Sequence, residues 1–157
     1  MKKVIKVLFV CHGNICRSPM AEFMMKDLVS KRGLSDAFVI ESAATSREDI
    51  GSDLYYLAKQ KLDEKHIPYE YRRARQMTKK DYEVFDYLIG MDQENIFYMN
   101  QIVHKDPDHK IHKLLEYTGK SRNIADPWWD DRFEDAYQDI HEGCVAFLDD
   151  LLDKHIL

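Results

Sequence analysis

The segment Lys3 to Val10, KVIKVLFV, is rich in Val, Ile, Leu and Phe and does not alternate apolar with polar positions. A strand that reads this way is covered on both faces, as in a parallel sheet with helices on either side. The chain then runs through CHGNICRS and turns helical: Pro19 suits a first-turn position, Ala21, Met24, Met25 and Leu28 share one face, and Gly33 supplies a stop. A buried strand that feeds a helix through a short loop is the first step of an alternating β/α chain, and the later segments repeat that step.

Phe38 to Ala44 is expected as a second strand. Asp53 to His66 follows as a helix with Leu54, Leu57, Ala58 and Leu62 inward, closed by Pro68. Thr78 caps a short helix before a third strand, Phe85 to Met91, and Asp92 caps another helix with Ile96, Met99 and Val103 at helical spacing. Lys110 to Leu115 reads as a fourth strand. A last helix is expected from about Asp131 to Asp153, with Phe133, Ala136, Ile140, Cys144, Phe147 and Leu151 on its apolar stripe. The expectation is one domain over residues 1–157: a three-layer α/β/α sandwich with a four-stranded parallel sheet, its ligands gathering where strand carboxyl ends meet helix amino ends. No repeat, low-complexity segment or interdomain linker interrupts it.

Hydrophobic residues at 45% and charged residues at 32% fit a soluble globular protein. The formal charge of -5 argues against affinity for nucleic acid or acidic membranes arising from net charge alone. The apolar run Val4 to Val10 is too short for a membrane span and meets a cysteine and Gly-Asn instead of a small-residue cleavage site, so it reads as strand and not as signal. Three cysteines exclude a fully paired disulfide framework, and the expected location is the reducing cytoplasm. Cys11 and Cys16 are not followed by a second ligand pair and the seven histidines are scattered, so no metal site is expected.

A loop between a buried strand and a helix N-terminus exposes unpaired backbone N–H groups in the positive field of the helix dipole, and its natural guest is an anion. Gly13 allows close backbone approach, Asn14 tolerates a left-handed conformation, and Arg17 brings a planar fork of donors suited to two phosphate oxygens. In that field Cys11 should lose its proton more readily than a free thiol of pKa about 8.5. A thiolate at the centre of a phosphate cradle can attack phosphorus in line, and the departing ester oxygen then needs an acid. Cys11 and Cys16 would also serve as small buried hydrophobes in a strand-to-helix turn. Against that stands the spacing of Cys, five residues, Arg and Ser between a strand and a helix.

With VLFVCHGNICRSPMAE, ESAATS, ARQMT, FDYLIGMDQEN and IADPWWDDRFEDAYQ in this order, the sequence resembles the low-molecular-weight protein tyrosine phosphatases over nearly its whole length. The resemblance implies a four-stranded parallel sheet flanked by helices, with a phosphate-binding loop after the first strand formed by His12, Gly13, Asn14, Ile15, Cys16 and Arg17. It implies a phosphocysteine intermediate on Cys11, phosphate binding by Arg17, and Asp126, the aspartate before proline in the aromatic loop, as general acid. Asn14, Ser18 and Ser42 match positions that hold the loop's shape, and Trp128 aligns with an aromatic lining the pocket. No metal or organic cofactor is implied. The partners implied are phosphotyrosine-containing proteins, with inorganic phosphate as product and neither nucleic acid nor a membrane span. By residue chemistry alone Asp126 is less distinct, because Asp130, Asp131, Glu134 and Asp135 crowd the same region; its Pro- and Trp-rich loop would shield it and raise its pKa toward working pH.

The chain also departs from the family pattern. Where relatives often carry an aromatic after the Ser-Ala-x-Thr-Ser segment, it has Arg47, Glu48, Asp49 and Ile50, so a polar pocket wall including Glu48 is expected, repelling acidic residues near the phosphotyrosine. A histidine that some relatives carry is replaced by Arg72, which alters the supporting network. Arg72, Arg73, Arg75, Lys79 and Lys80 read as a solvated basic face in preference to a docking site for acidic partners. Trp129 fits either sheet cover or a substrate wall. Cys16 is either a buried loop residue or a redox partner that pairs with Cys11 under oxidant. Among competing activities, an arsenate-reductase relay lacks its two mid-chain cysteines. A protein arginine phosphatase is the closer rival, disfavoured by Ile15 where that branch resembles threonine, and a non-catalytic phosphotyrosine-binding module would need neither thiolate nor acid.

Overall fold

The computed structural model describes residues 3–130 and 132–155. Strand β1 (Ile5–Cys11) leads into helix α1 (Arg17–Lys31), then β2 (Phe38–Ala44), α2 (Tyr56–Glu64), α3 (Lys79–Val84), β3 (Tyr87–Gly90), α4 (Gln93–Val103), β4 (Ile111–Lys113), a single helical turn α5 (Pro127–Asp130) and the long α6 (Phe133–Lys154). The four strands are all parallel in the order β2-β1-β3-β4, with Cys11 paired to Ala44 at the carboxyl end.

The unbroken apolar character of β1 has a direct cause. Ile5, Val7 and Phe9 pack toward a core that contains Met24 and Met25 of α1 and Ile140, Phe147 and Leu151 of α6. Leu8 and Val10 pack on the other face with Met77, Leu88, Met99 and Val103. The five β1 residues are at most 1% exposed, so a polar residue on either face would lose its water without gaining a partner. Truncating Phe9, buried edge-on against Phe147 at a centroid distance of 6.3 Å, would cost about 3–5 kcal/mol by the usual scale for buried aromatics.

Helix ends follow their local signals. Gly33 adopts φ 70° after α1, Thr78 and Asp81 form a reciprocal cap on α3, and Asp92 caps α4 by accepting from Asn95 N at 2.7 Å. Several bounds differ from expectation: β1 is Ile5–Cys11 instead of Lys3–Val10, and β3 is Tyr87–Gly90 instead of Phe85–Met91. Helix α2 begins at Tyr56 instead of Asp53, because the Asp53 carboxylate is taken by Arg72 N at 3.2 Å and Lys59 Nζ at 2.7 Å. Strand β4 is only three residues long and passes into a 3₁₀ segment, Leu114–Thr118. The expected start of the last helix at Asp131 lies outside the described residues; α6 is observed from Phe133.

After β1 the chain goes first to one side of it, to β2, and then to the other, to β3. The carboxyl end of β1 is therefore the topological switch point, where the two crossovers part and leave a crevice. Cys11 is its last residue.

Candidate active site

The loop from His12 to Cys16 is held by its carbonyls. Cys11 O accepts from Thr45 N at 2.9 Å, His12 O from Ser46 N at 3.1 Å, Asn14 O from Arg72 Nη2 at 2.6 Å and Ile15 O from Tyr55 N at 2.9 Å. In a planar trans peptide the N–H points opposite to the C=O. Carbonyls drawn outward thus turn the amides of Gly13, Ile15 and Cys16 toward the cavity those residues line, a concave nest for an oxyanion. Asn14 alone sends its amide elsewhere, to Cys11 Sγ at 3.3 Å.

That exception rests on a left-handed Asn14, φ 59°, fully buried and with every side-chain valence used. Its Nδ2 donates to Ser18 Oγ at 2.8 Å and Ser42 Oγ at 2.9 Å; its Oδ1 accepts from Arg72 Nη2 and from Arg75 N at 3.3 Å. An amide has two donors and two acceptor sites, so its orientation is fixed. Ser42 passes its own proton to Glu22 Oε1 at 2.6 Å. Ser18 Oγ, already an acceptor from Asn14, has one proton to give: Cys11 Sγ lies at 3.0 Å and Ala43 O at 3.4 Å. With Ser18 N at 3.4 Å as well, two backbone N–H donors and the Ser18 hydroxyl converge on the Cys11 sulfur.

Arg17, 2% exposed, is the first residue of α1. Its Nη1 donates to Asp92 Oδ2 and Ile124 O, both at 2.7 Å, and Nη2 lies 3.5 Å from Asp126 Oδ2. Burial opposes its charge, but Cys11, Asp92 and Asp126 offset that and hold the guanidinium above its ordinary range. Asp126 accepts from Trp128 N at 3.0 Å, an N-cap-like contact at the start of α5. Trp128 is half-exposed with its ring 4.8 Å from that of Tyr55, and Trp129 is 82% exposed. The Cys16 thiol is pushed up by burial first and then by the negative charges at Cys11 and Asp126, so it stays protonated.

A cavity of about 350 Å³ joins these groups. Cys11, His12, Gly13, Ile15, Cys16, Arg17, Glu48, Asp126 and Trp128 all line it, and so do Asp49 and Trp129. Asn14, Ser18 and Ser42 sit behind it as supports. Asp92, Glu22 and the Ile124 carbonyl were not singled out from sequence as site residues. Asp92 had a signal, since a cap at the end of β3 falls at the same sheet edge as Cys11; Glu22 had another, one helical turn beyond Ser18 on α1. The basic cluster is divided by the fold: Arg72 supports Asn14, and Arg75 makes a two-pronged pair with Asp81 at 3.0 and 3.1 Å.

The sequence matches the family model described as low molecular weight phosphotyrosine protein phosphatase over residues 6–156. The low molecular weight protein-tyrosine-phosphatase YfkJ of Bacillus subtilis is 37% identical over 92% of this chain and 94% of its own, and the YfkJ crystal structure superposes with a TM-score of 0.94 over 98% of both chains. The low molecular weight phosphotyrosine protein phosphatase of Homo sapiens is 39% identical over 91% of this chain and 93% of its own. A structure described as a drosophila arginine phosphatase shares 34% identity at a TM-score of 0.84, covering 93% of this chain and 97% of its own.

Proposed function

The chain belongs to the low molecular weight phosphotyrosine protein phosphatases, cysteine-dependent hydrolases of phosphotyrosine, and from that premise we propose that Cys11, Arg17 and Asp126 carry the reaction. The observation that supports it most is the convergence of two backbone N–H donors and the Ser18 hydroxyl on Cys11 Sγ inside a nest of inward amides. These contacts hold the sulfur at the floor of the nest, and the inward amides with the Nε and Nη2 edge of Arg17 receive the phosphate oxygens.

In the first step the Cys11 sulfur attacks phosphorus in line and the bond from phosphorus to the tyrosyl oxygen breaks. Asp126 delivers its proton to that oxygen. Before substrate arrives, Asp126 stands 3.5 Å from Arg17 Nη2, within reach of the position the tyrosyl oxygen takes when phosphate sits on the guanidinium. In the second step Asp126 takes a proton from water, the water oxygen bonds to phosphorus, and sulfur leaves as thiolate while Ser18 still donates to it. Inorganic phosphate is released, and no cofactor enters.

Ile15 and Trp128 give the cavity apolar walls that suit a phenyl ring. The arginine-phosphatase reading has the likeness to the drosophila protein in its favour, but an aliphatic Ile15 offers no hydrogen bond to a guanidinium. The substrates are phosphotyrosine-containing proteins, and the working compartment is the cytoplasm, where Cys11, Cys16 and Cys144 remain free thiols. No helix among the described residues is long and apolar enough to cross a membrane.

The test is phosphate release from matched phosphotyrosine, phosphoserine and phosphoarginine peptides. Turnover is expected with phosphotyrosine and is expected to fall by about 10⁴-fold or more in Cys11→Ser, with no further loss in Cys11→Ser/Cys16→Ser because Cys16 is a protonated bystander. Preferential phosphoarginine turnover would overturn the tyrosine reading. Full activity of Cys11→Ser would overturn the mechanism.

A further inference from the structure

Two carboxylates reach the cavity from the turn after β2, and their surroundings differ. Glu48 Oε2 lies 2.9 Å from Nε2 of His12, so it has a partner within the site. The Asp49 carboxylate has neither a hydrogen bond nor an ion pair among the described residues. It nevertheless stands over the phosphate loop: a β-carbon at Gly13 would collide with Asp49 Oδ2. Its charge also reaches inward, adding to burial and to the charges of Cys11 and Asp126 in pushing up the Cys16 thiol.

A free carboxylate beside a site for a phosphate dianion repels the ligand the site is built to hold. The nearby cations do not relieve it. Arg17 is engaged by Asp92 and Asp126, Arg72 by Asn14, and Lys59 by Asp53, while Arg47 is exposed on the same turn and does not line the cavity. What the arrangement lacks is a positive charge at the mouth, next to the phosphoryl group, and the substrate can bring one.

We propose that Asp49 is a specificity-determining residue that receives the side chain of an arginine or lysine adjacent to the phosphotyrosine. The proposal rests on the phosphotyrosine reading above. With the phenyl ring between Ile15 and Trp128, the neighbouring residues of a peptide lie at the rim, where Asp49 is half-buried and its attraction is less screened than on an open surface. Glu48, hydrogen-bonded to His12 and more open to solvent than Asp49, contributes little to the preference. A basic neighbour turns the repulsion at Asp49 into a bridge, and an acidic neighbour doubles it.

The experiment compares kcat/KM on three phosphotyrosine peptides that differ only in the two flanking residues, both Arg, both Ala or both Glu. The wild type is expected to prefer Arg over Ala by about 10-fold and Ala over Glu by a smaller factor. In Asp49→Asn the Arg-to-Ala ratio is expected to fall close to one, whereas Glu48→Gln keeps most of it. Each ratio is taken within one protein, so a change in overall activity cancels. Should Asp49→Asn fail to fold, the wild-type ratio decides by its decline toward one as salt is raised to 0.5 M, a concentration that screens within about 4 Å. A wild-type ratio near one, a preference for the Glu peptide, or a ratio that survives in Asp49→Asn overturns the proposal. Failure to hydrolyse any of the three peptides would overturn the phosphotyrosine reading beneath it, a result distinct from turnover without preference.

Discussion

The phosphate loop and the aspartate loop line one cavity but are held by contrasting means. Around Asn14, fully buried, every donor and acceptor of the side chain is bonded to protein, and the support extends through Ser42 to Glu22 and through Arg72 to another segment of chain. Around Trp129, 82% exposed, the bonds among the described residues are local: Trp129 N to Asp126 O at 3.3 Å and Trp128 N to Asp126 Oδ1 at 3.0 Å, with Trp128 resting on Tyr55. In the proposed mechanism the first region binds a group whose geometry is the same for every substrate, and a preset cradle lowers the barrier by removing reorganisation. The second, on the same proposal, must admit different leaving groups and let product out. Sparse anchoring suits that task, because segments with few buried contacts open at low free energy.

If the division is real, damage on the two sides differs in its dependence on the leaving group. The largest effect is expected from Asp126→Asn, about 10²–10³-fold in kcat on phosphotyrosine, with a much smaller loss on an activated aryl phosphate whose phenolate leaves unaided. Equal losses on both esters would erase the distinction between the regions. Next comes Arg72→Ala, which takes a donor from both oxygens of Asn14 and leaves Oδ1 with Arg75 N alone. It is expected to lower kcat by about 10-fold on both esters alike, and Arg72→Lys to restore it incompletely, since one ammonium cannot serve Asn14 from the position of Nη2 and also the Ser52 carbonyl that Nη1 reaches at 3.3 Å. A loss confined to the poor leaving group would move Arg72 to the other side of the comparison.

The smallest effect concerns the base of the aspartate loop. Glu134 in the first turn of α6 accepts from Lys61 of α2 at 2.8 Å, with Gln138 at 2.7 Å and Lys65 at 3.4 Å. These bonds, Lys61's first, hold its carboxyl down to about 2 from an ordinary 4.5. A carboxylate depressed in the folded state contributes stability that is fully present above pH 4.5 and is lost as pH falls toward 2. Thermal melts of wild type and Glu134→Gln should therefore differ slightly at pH 6 and converge by pH 2, with the gap at pH 6 reduced by salt. A gap that widens on acidification would show that Glu134 does not anchor the loop through its charge.

Sequence reached the two regions unequally. Strand β2 falls on its expected residues, and Thr78 and Asp92 cap the helices they were expected to cap, because strand burial and helix capping are decided within a few residues. The approach of the Cys-to-Arg loop to a helix N-terminus is equally local. What sequence did not reveal depends on distance along the chain. Arg72 meets Asn14 across 58 positions and Arg17 meets Asp92 across 75, and no periodicity reports such encounters. The late start of α2 has the same origin, since Asp53 is drawn into a tertiary contact with the Arg72 amide instead of opening the helix. Likewise Glu48 and Asp49 are adjacent acids in sequence, and only the fold gives one of them a histidine.

Arg17 belongs to the β1–α1 half of the sheet, while the carboxylate that clamps it, Asp92, caps α4 in the β3 half. Neither half alone holds the guanidinium in this position, so under the proposed mechanism a chain with only one of them formed is expected to be inactive. Recovery of turnover during refolding is then expected to report the docking of the two halves and not to run ahead of it.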